Sequence, residues 1–276
     1  MLPQIFQYDF MLRAFIAGTI IAILAPLIGS FLLIRRYSLF ADALSHVSFL
    51  SVAIAVLMDF NPVLVSMIGA VIAAAGLEKL RATKRVQSES SLALFLSGSL
   101  ALGTIILSFV NASVPITSIL FGAITTITES DLYIIAAAGL VAFIGILYYL
   151  RELFVLTFDE EYARVKGIRV TLLNYLLMIV SAVIISISIT VIGILLITSL
   201  MVIPVLTSYQ LRRGFTQSVV LSVIFSVVSV WTGIALSFYA DLPAGGTIVL
   251  ILIACFMIAL LAGRLFKAKK YEKIAS

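Results

Sequence analysis

Apolar residues in this chain gather into long uninterrupted blocks rather than alternating with polar ones. Nine blocks, over residues 13–34, 40–58, 62–79, 91–110, 131–150, 171–190, 192–211, 215–238 and 245–263, each come near the ~20 residues a helix needs to cross hydrocarbon. The expected fold is therefore all-α: one transmembrane domain over residues 1–276 with about nine spanning helices. Only Thr190 and Gly193 punctuate the boundary between the sixth and seventh blocks, so eight spans with one re-entrant segment is the alternative count.

Composition points the same way. The chain is 63% hydrophobic and 11% charged, with a mean hydropathy of +1.24; a soluble domain is about 45–50% apolar and about 25% charged. A soluble core of this length cannot hide so much apolar surface, whereas a bilayer asks no polar coat of outward helix faces. Cys255 lies inside the last block, has no second cysteine to pair with, and reads as packing. Asp9 and Arg13 precede the first block where a signal peptide would carry a basic stretch. That block is also too long, and lacks a small-residue cleavage site, so no cleavable signal is expected.

The net charge of +5 does not imply nucleic acid, because the charges sit in short clusters between the blocks. Arg35 and Arg36; Lys79, Arg81, Lys84 and Arg85; Arg151, Arg164, Lys166 and Arg169; Arg212 and Arg213; and the stretch from Arg264 to Lys273 fall on alternate connections. With nine spans every basic residue except Arg13 shares one side. The positive-inside rule makes that side the cytoplasm, placing the N-terminus outside and the C-terminus inside. The outer connections carry Asp59, Glu129, Asp131 and Asp241.

Two connections exceed a hairpin. The outer one, 111–130, holds a run from Ile116 to Ile124 that is too short to span and is expected to lie flat or dip inward. In the cytoplasmic one, 151–170, Asp159, Glu160 and Glu161 suit a helix start and Lys166 with Gly167 a helix end. A short amphipathic helix over 158–167 is predicted there.

Ionisable residues deep in an apolar block are costly and therefore informative. The second block holds Asp42 and the chain's one histidine, His46, at an i,i+4 spacing that puts both on one helix face. At ~1.5 Å per residue His46 lies about 15 Å beyond Arg36, near mid-membrane, with Asp42 about 6 Å nearer the cytoplasm. Ser38, Ser45 and Ser48 add hydroxyls nearby. A carboxylate and an imidazole converging there suit a divalent transition metal. A hydrogen-bonded Asp–His pair that locks helix packing is the competing reading. Pro26 and Pro204 would kink their spans, and the run from Pro243 through Gly245 to Thr247 reads as a close-approach turn. The hydroxyls of Ser181, Ser186, Ser188 and Thr190 suit helix packing. No glycine-rich phosphate loop is present, so the chain is not expected to hydrolyse nucleotide itself.

Four stretches resemble one family, the integral membrane subunits of bacterial ABC importers for zinc and manganese. Residues 29–46 (GSFLLIRRYSLFADALSH) are similar to its apolar span, arginine and D-A-[LI]-S-H segment. Residues 158–167 (FDEEYARVKG) are similar to its cytoplasmic F-D-x-x-x-A-x-x-x-G segment, which implies ATPase coupling through Phe158, Asp159, Glu160, Glu161, Ala163 and Gly167. Residues 191–204 (VIGILLITSLMVIP) and 241–250 (DLPAGGTIVL) are similar to two further motifs; together with the first motif they make Ser45, Pro204, Asp241, Pro243 and Gly245 pathway or packing candidates. The family's P-A-A-x-A ending reads PVLTS over 204–208, with bulkier residues.

The resemblance implies a type II ABC importer fold and a homodimer with its pathway near the two-fold axis. It further implies two cytoplasmic ATPase subunits, an extracytoplasmic metal-binding protein and no permanently bound cofactor. It favours Asp42 and His46 as metal contacts, and its fourth motif leans toward zinc over manganese. A secondary transporter driven by an ion gradient is the alternative, but no internal repeat of the kind such transporters show is visible.

Overall fold

The computed structural model describes residues 4–83, 88–109, 122 and 127–275. Its helices are α1 (Asp9–Ile34), α2 (Ser38–Leu57), α3 (Pro62–Thr83), α4 (Ser88–Phe109), α5 (Glu129–Tyr148), α6 (Leu150–Phe158), α7 (Glu160–Val165), α8 (Val170–Ile192), α9 (Ile194–Gln210), α10 (Phe215–Ala240) and α11 (Ala244–Ala275). Among the described residues there is no strand. Lys84, Arg85 and nearly all of the outer run from Ile116 to Ile124 lie outside the described residues.

Aromatic and polar contacts sort the helix ends into two groups. Phe31, Phe154, Phe158 and Phe215 form one ring cluster with centroids 4.8–5.8 Å apart. Beside it Arg35 bonds Glu160 and Asn174, and Arg81 bonds Tyr37. At the opposite end Tyr8 packs on Phe238, and Asn61 donates to Asp131. The first group carries the basic clusters and the second the acidic ones, as the alternating loops require.

Eight helices, α1–α5, α8, α10 and α11, are long and apolar enough to cross a membrane. The seventh apolar block became α9, whose 17 residues span about 25 Å. It nevertheless runs from the acidic end to the basic one. Its start follows Ile192, whose backbone abuts Gly122, and the chain after it reaches Phe215 in the basic-end ring cluster. Gly193 alone joins α8 to α9, with φ 90° and ψ 163°, a region open essentially to glycine. A one-residue joint in that conformation breaks the helix without a polar loop, which is why the sequence shows so little punctuation there.

α1 is the central post: 72% of its spanning stretch is buried, against 11% for α4. Without water to drive apolar surfaces together, helices associate through close packing of small residues. α1 buries Ala14, Ala17, Gly18, Ala22, Ala25 and Gly29, and α10 buries Ser218, Ser222, Ser226, Ser229 and Gly233. The closest approach to another helix's backbone is at Gly29, where an added Cβ would lie 2.1 Å from the Met201 carbonyl oxygen on α9.

That approach leaves no room for a methyl group against backbone. Overpacking a filled interior costs ~1–3 kcal/mol. Gly29→Ala should therefore lower the thermal midpoint of the detergent-solubilised protein. Gly145→Ala, whose added methyl meets open space, should leave it at or above the parent value. Equal midpoints for the two variants would show that α1 and α9 are not in backbone contact.

Candidate functional site

From Ala41 to Ala55 of α2 every position is buried except Asp42, His46, Leu50 and Ile54. Those four recur at intervals of four, so they form one strip along the helix, with both predicted ionisable residues on it. The remaining circumference of α2 is held by its neighbours. On one side the Ser48 and Ser186 hydroxyls lie 3.1 Å apart, and Ser186 Oγ donates to the Ser66 carbonyl on α3 at 3.1 Å. Ser186 has one proton and gives it to Ser66, so Ser48 is the donor in the first contact. An added Cβ on Gly69 of α3 would lie 2.0 Å from Ser51 Oγ, and one on Gly103 of α4 would lie 2.7 Å from the Phe49 ring. These contacts with α3, α4 and α8 fix the rotation of α2 and hence which face the strip presents.

Within the strip, the His46 ring is half-buried and its Nδ1 is buried with no hydrogen-bond partner. A buried polar atom left unpaired costs ~1–3 kcal/mol. No Asp42–His46 hydrogen bond is made through this nitrogen. Ser45 is fully buried and its hydroxyl donates to the Asp42 carbonyl at 2.7 Å, so it belongs to the backbone of α2. Among the described residues no group of three or more His, Cys, Asp or Glu side chains converges. The strip thus carries one carboxylate and one imidazole on the same helix face.

The other predicted residues fall elsewhere. The 151–170 connection is two helices, α6 and α7, where one was expected over 158–167; the bend between them falls at Asp159. Asp159 Oδ1 accepts from the Tyr162 N–H at 2.9 Å and starts α7. Gly167, at φ 76°, ends it, with the Gly167 and Ile168 amides donating to the Arg164 and Ala163 carbonyls, both at 3.0 Å. Ala163 is buried, while Phe158, Tyr162 and Val165 are exposed, Val165 by 86%. Glu161 points to solvent. Glu160 instead turns inward, bonding Arg35 at 3.0 Å and Arg164 at 2.8 Å. Pro204 is buried within α9. Asp241 and Pro243 are exposed at the α10–α11 turn, with Asp241 in the left-handed region (φ 52°) as the helix stop, and Gly245 is buried at the start of α11.

Sequence reasoning missed two residues. Glu78 is 2% exposed and pairs bidentately with Arg81 at 2.7 and 2.8 Å. Arg35 is 6% exposed at its side chain. Both sit in basic clusters that served only to orient the chain, and nothing in the spacing of Arg35 shows its contacts with Glu160 and Asn174, 125 and 139 positions away.

A multi-pass helical bundle with an ionisable strip inside it and an apolar elbow projecting from its basic end defines a membrane transport protein. The chain belongs to the ABC 3 transport family, whose model matches residues 7–263. It is 34% identical over 263 residues to the "Probable metal transport system membrane protein" of Treponema pallidum, covering 95% of this chain and 99% of that one. It is 29% identical to the "Manganese transport system membrane protein MntC" of Listeria monocytogenes, with 98% of each chain covered. To the "High-affinity zinc uptake system membrane protein ZnuB" of Buchnera aphidicola subsp. Schizaphis graminum it is 31% identical, covering 88% of this chain and 94% of that one. The structure described as "PsaBC from Streptococcus pneumoniae in complex with Fab" superposes with a TM-score of 0.83 at 25% identity, covering 92% of both chains. The protein is a multi-pass inner-membrane permease with the fold of ABC importers.

The strip makes a direct prediction about access. In a Cys255→Ser background, a cysteine at Leu50 should react with a water-soluble thiol reagent faster than one at Ala53, which is fully buried. Equal rates would mean that α2 is not rotated as described.

Proposed function

We propose that this chain is the membrane-spanning subunit of an importer that carries a divalent transition metal, zinc or manganese, into the cytoplasm. The observation that supports it most is the buried, unpartnered Nδ1 of His46 on the same strip as Asp42. A passing cation completes that nitrogen, and two ligands per chain hold it weakly enough to release it. Water or the corresponding pair of a second copy supplies the rest of the coordination. Relatives named for manganese and for zinc are of similar identity, so both metals stay in the proposal.

The basic end lies in the cytoplasm by the positive-inside rule, with the N-terminus outside and the C-terminus inside. There α6 and α7 expose Phe154, Phe158, Tyr162 and Val165. Apolar side chains on a connection that lies in water, rather than in lipid, mark a docking surface. A separate pair of ATPase subunits is its occupant and supplies the energy. An extracytoplasmic metal-binding protein delivers the cargo to the acidic end, and the working unit is a homodimer.

Cells with and without this chain, compared for uptake of labelled zinc, manganese and iron, test the reading. Uptake should depend on ATP and on this chain. His46→Ala should cut it at least tenfold, about the loss of one strong ligand interaction, while the complex still assembles. Unchanged uptake removes His46 from the pathway, and lost assembly returns the residue to packing.

Protons should compete with the cargo. Coordination needs a neutral imidazole and an ionised carboxylate, so each proton bound at Asp42 or His46 opposes metal binding. Transport should fall as pH drops through the imidazole's titration and recover as it rises. The fall should be absent in a His46→Gln variant that retains some transport, with ATPase turnover measured over the same range as control. Matching pH profiles would show that the imidazole does not titrate against metal.

A further inference from the structure

Most arginines of the basic clusters stay in water, but Arg35 and Arg81 bend into the bundle, and both end on Tyr37. Arg35 closes α1, Tyr37 precedes the first residue of α2, and one residue separates them. The joint has no slack: Arg36 is held at φ 59°, its N–H donates to the Leu33 carbonyl at 3.0 Å, and the Tyr37 N–H donates to the Leu32 carbonyl at 2.8 Å. The Arg35 guanidinium sits 5.1 Å from the Tyr37 ring centroid, and that of Arg81 sits 5.4 Å from it. Arg81 also donates to the Tyr37 hydroxyl and is itself clamped by the buried Glu78 of α3.

The other arms of Arg35 reach away from this joint. Nη1 donates to Asn174 Oδ1 on α8 at 2.7 Å, and Nη2 donates to Glu160 Oε2 on α7 at 3.0 Å. Glu160 is tied within α7 by Arg164. One planar group therefore touches the elbow helix, the long helix after it and the residue just before α2. Five residues beyond that one is Asp42. Burying a guanidinium is a poor way to gain stability, since well-packed apolar residues commonly do as well. Its planar fork, unlike an ammonium, holds several partners in fixed relative orientation.

We propose that Arg35 is a positioning residue that transmits movement of the α6–α7 elbow to α2, and so to the Asp42–His46 strip, through its stack on Tyr37. A displacement of α7 pulls Glu160, Glu160 pulls Arg35, and the tight 35–37 joint turns the start of α2 against the fixed Arg81–Glu78 pair. The inference rests on the reading that the elbow docks an ATPase, but it does not depend on which metal is carried.

The test uses the full complex with its ATPase subunits, carrying Cys255→Ser and Leu50→Cys. Thiol reaction at position 50 is followed with and without vanadate-trapped nucleotide. With Arg35 present the two states should differ in rate at least about threefold, within the range that coupling residues modulate. Arg35→Lys, which keeps the charge but loses the fork, should bring the two rates within twofold while vanadate trapping and co-purification persist. Tyr37→Leu, which leaves the Glu160 contact intact and removes the stacked ring, should do the same. A difference undiminished in both variants overturns the proposal, as does a parent complex showing no difference. Absence of any co-purifying ATPase is the separate result that removes the docking reading and the proposal with it.

Discussion

Hydrocarbon offers no water to a polar group, so every hydroxyl, amide and charge inside this bundle must find its partner in the protein. The serines show the rule at work. Ser30, Ser51, Ser181 and Ser188 each return their proton to the carbonyl four residues back, at 2.6–2.9 Å, and so become neutral packing surface. Only where helices must be registered against each other does a hydroxyl reach across, as Ser48 and Ser186 do to join α2, α8 and α3. Because one side of α2 is fastened in this way, the other side is free to bare Asp42 and His46. The site is a consequence of how the rest of the helix is satisfied.

Against that background the unpaired atoms are few. Among the described residues the buried side-chain atoms without a partner are His46 Nδ1, Tyr209 Oη and Ser226 Oγ. A hydroxyl can rotate to reduce its penalty, while a ring nitrogen fixed on a registered helix cannot. A ligand that supplied the missing contact would remove the cost of such an atom, ~1–3 kcal/mol. A structural zinc site gathers four side chains and keeps its ion. The proposed function asks the opposite of a permease site, a foothold favourable enough to enter and weak enough to leave, and it is on that ground that two side chains per chain are proposed to suffice.

How much of this the sequence disclosed follows from the range of the forces involved. The thickness of hydrocarbon is a constraint on consecutive residues, so the nine apolar blocks and their alternating charges could be read directly. The i,i+4 spacing of Asp42 and His46 is equally local, and so are the Asp159 and Gly167 caps of α7. The bend that makes α6 a separate helix was not visible, because Leu153 and Leu156 are buried against other helices and read as ordinary apolar residues of a connection. The shortness of α9 was hidden because Gly193 breaks the chain through its backbone angle alone. The inward turn of Glu160 was hidden too. Its partner Arg35 lies 125 positions away, and spacing carries no information at that range.

The basic end shows where a rule of topology stops and specific structure begins. Positive-inside charge is a bulk property, and Arg36, Lys79, Arg151, Lys166, Arg169, Arg212 and Arg213 satisfy it while remaining exposed. Arg35 and Arg81 carry the same charge on the same side, yet the bundle withdraws them from water. Desolvating a guanidinium is unfavourable unless its donors are met in geometry. Here Asn174, Glu160, Tyr37 and Glu78 meet them from three helices and one tight turn. Neither Lys79 nor Lys166, the lysines whose side chains are described at this end, is treated in that way, which fits the need for a flat, weakly hydrated fork rather than a point charge. The elements so joined are the ones that must move together if work done at the elbow is to be felt near mid-membrane: α7, the start of α2 and the end of α3. Orientation in the membrane and connection between the two working regions are thus carried by the same residue type, and burial separates the two uses.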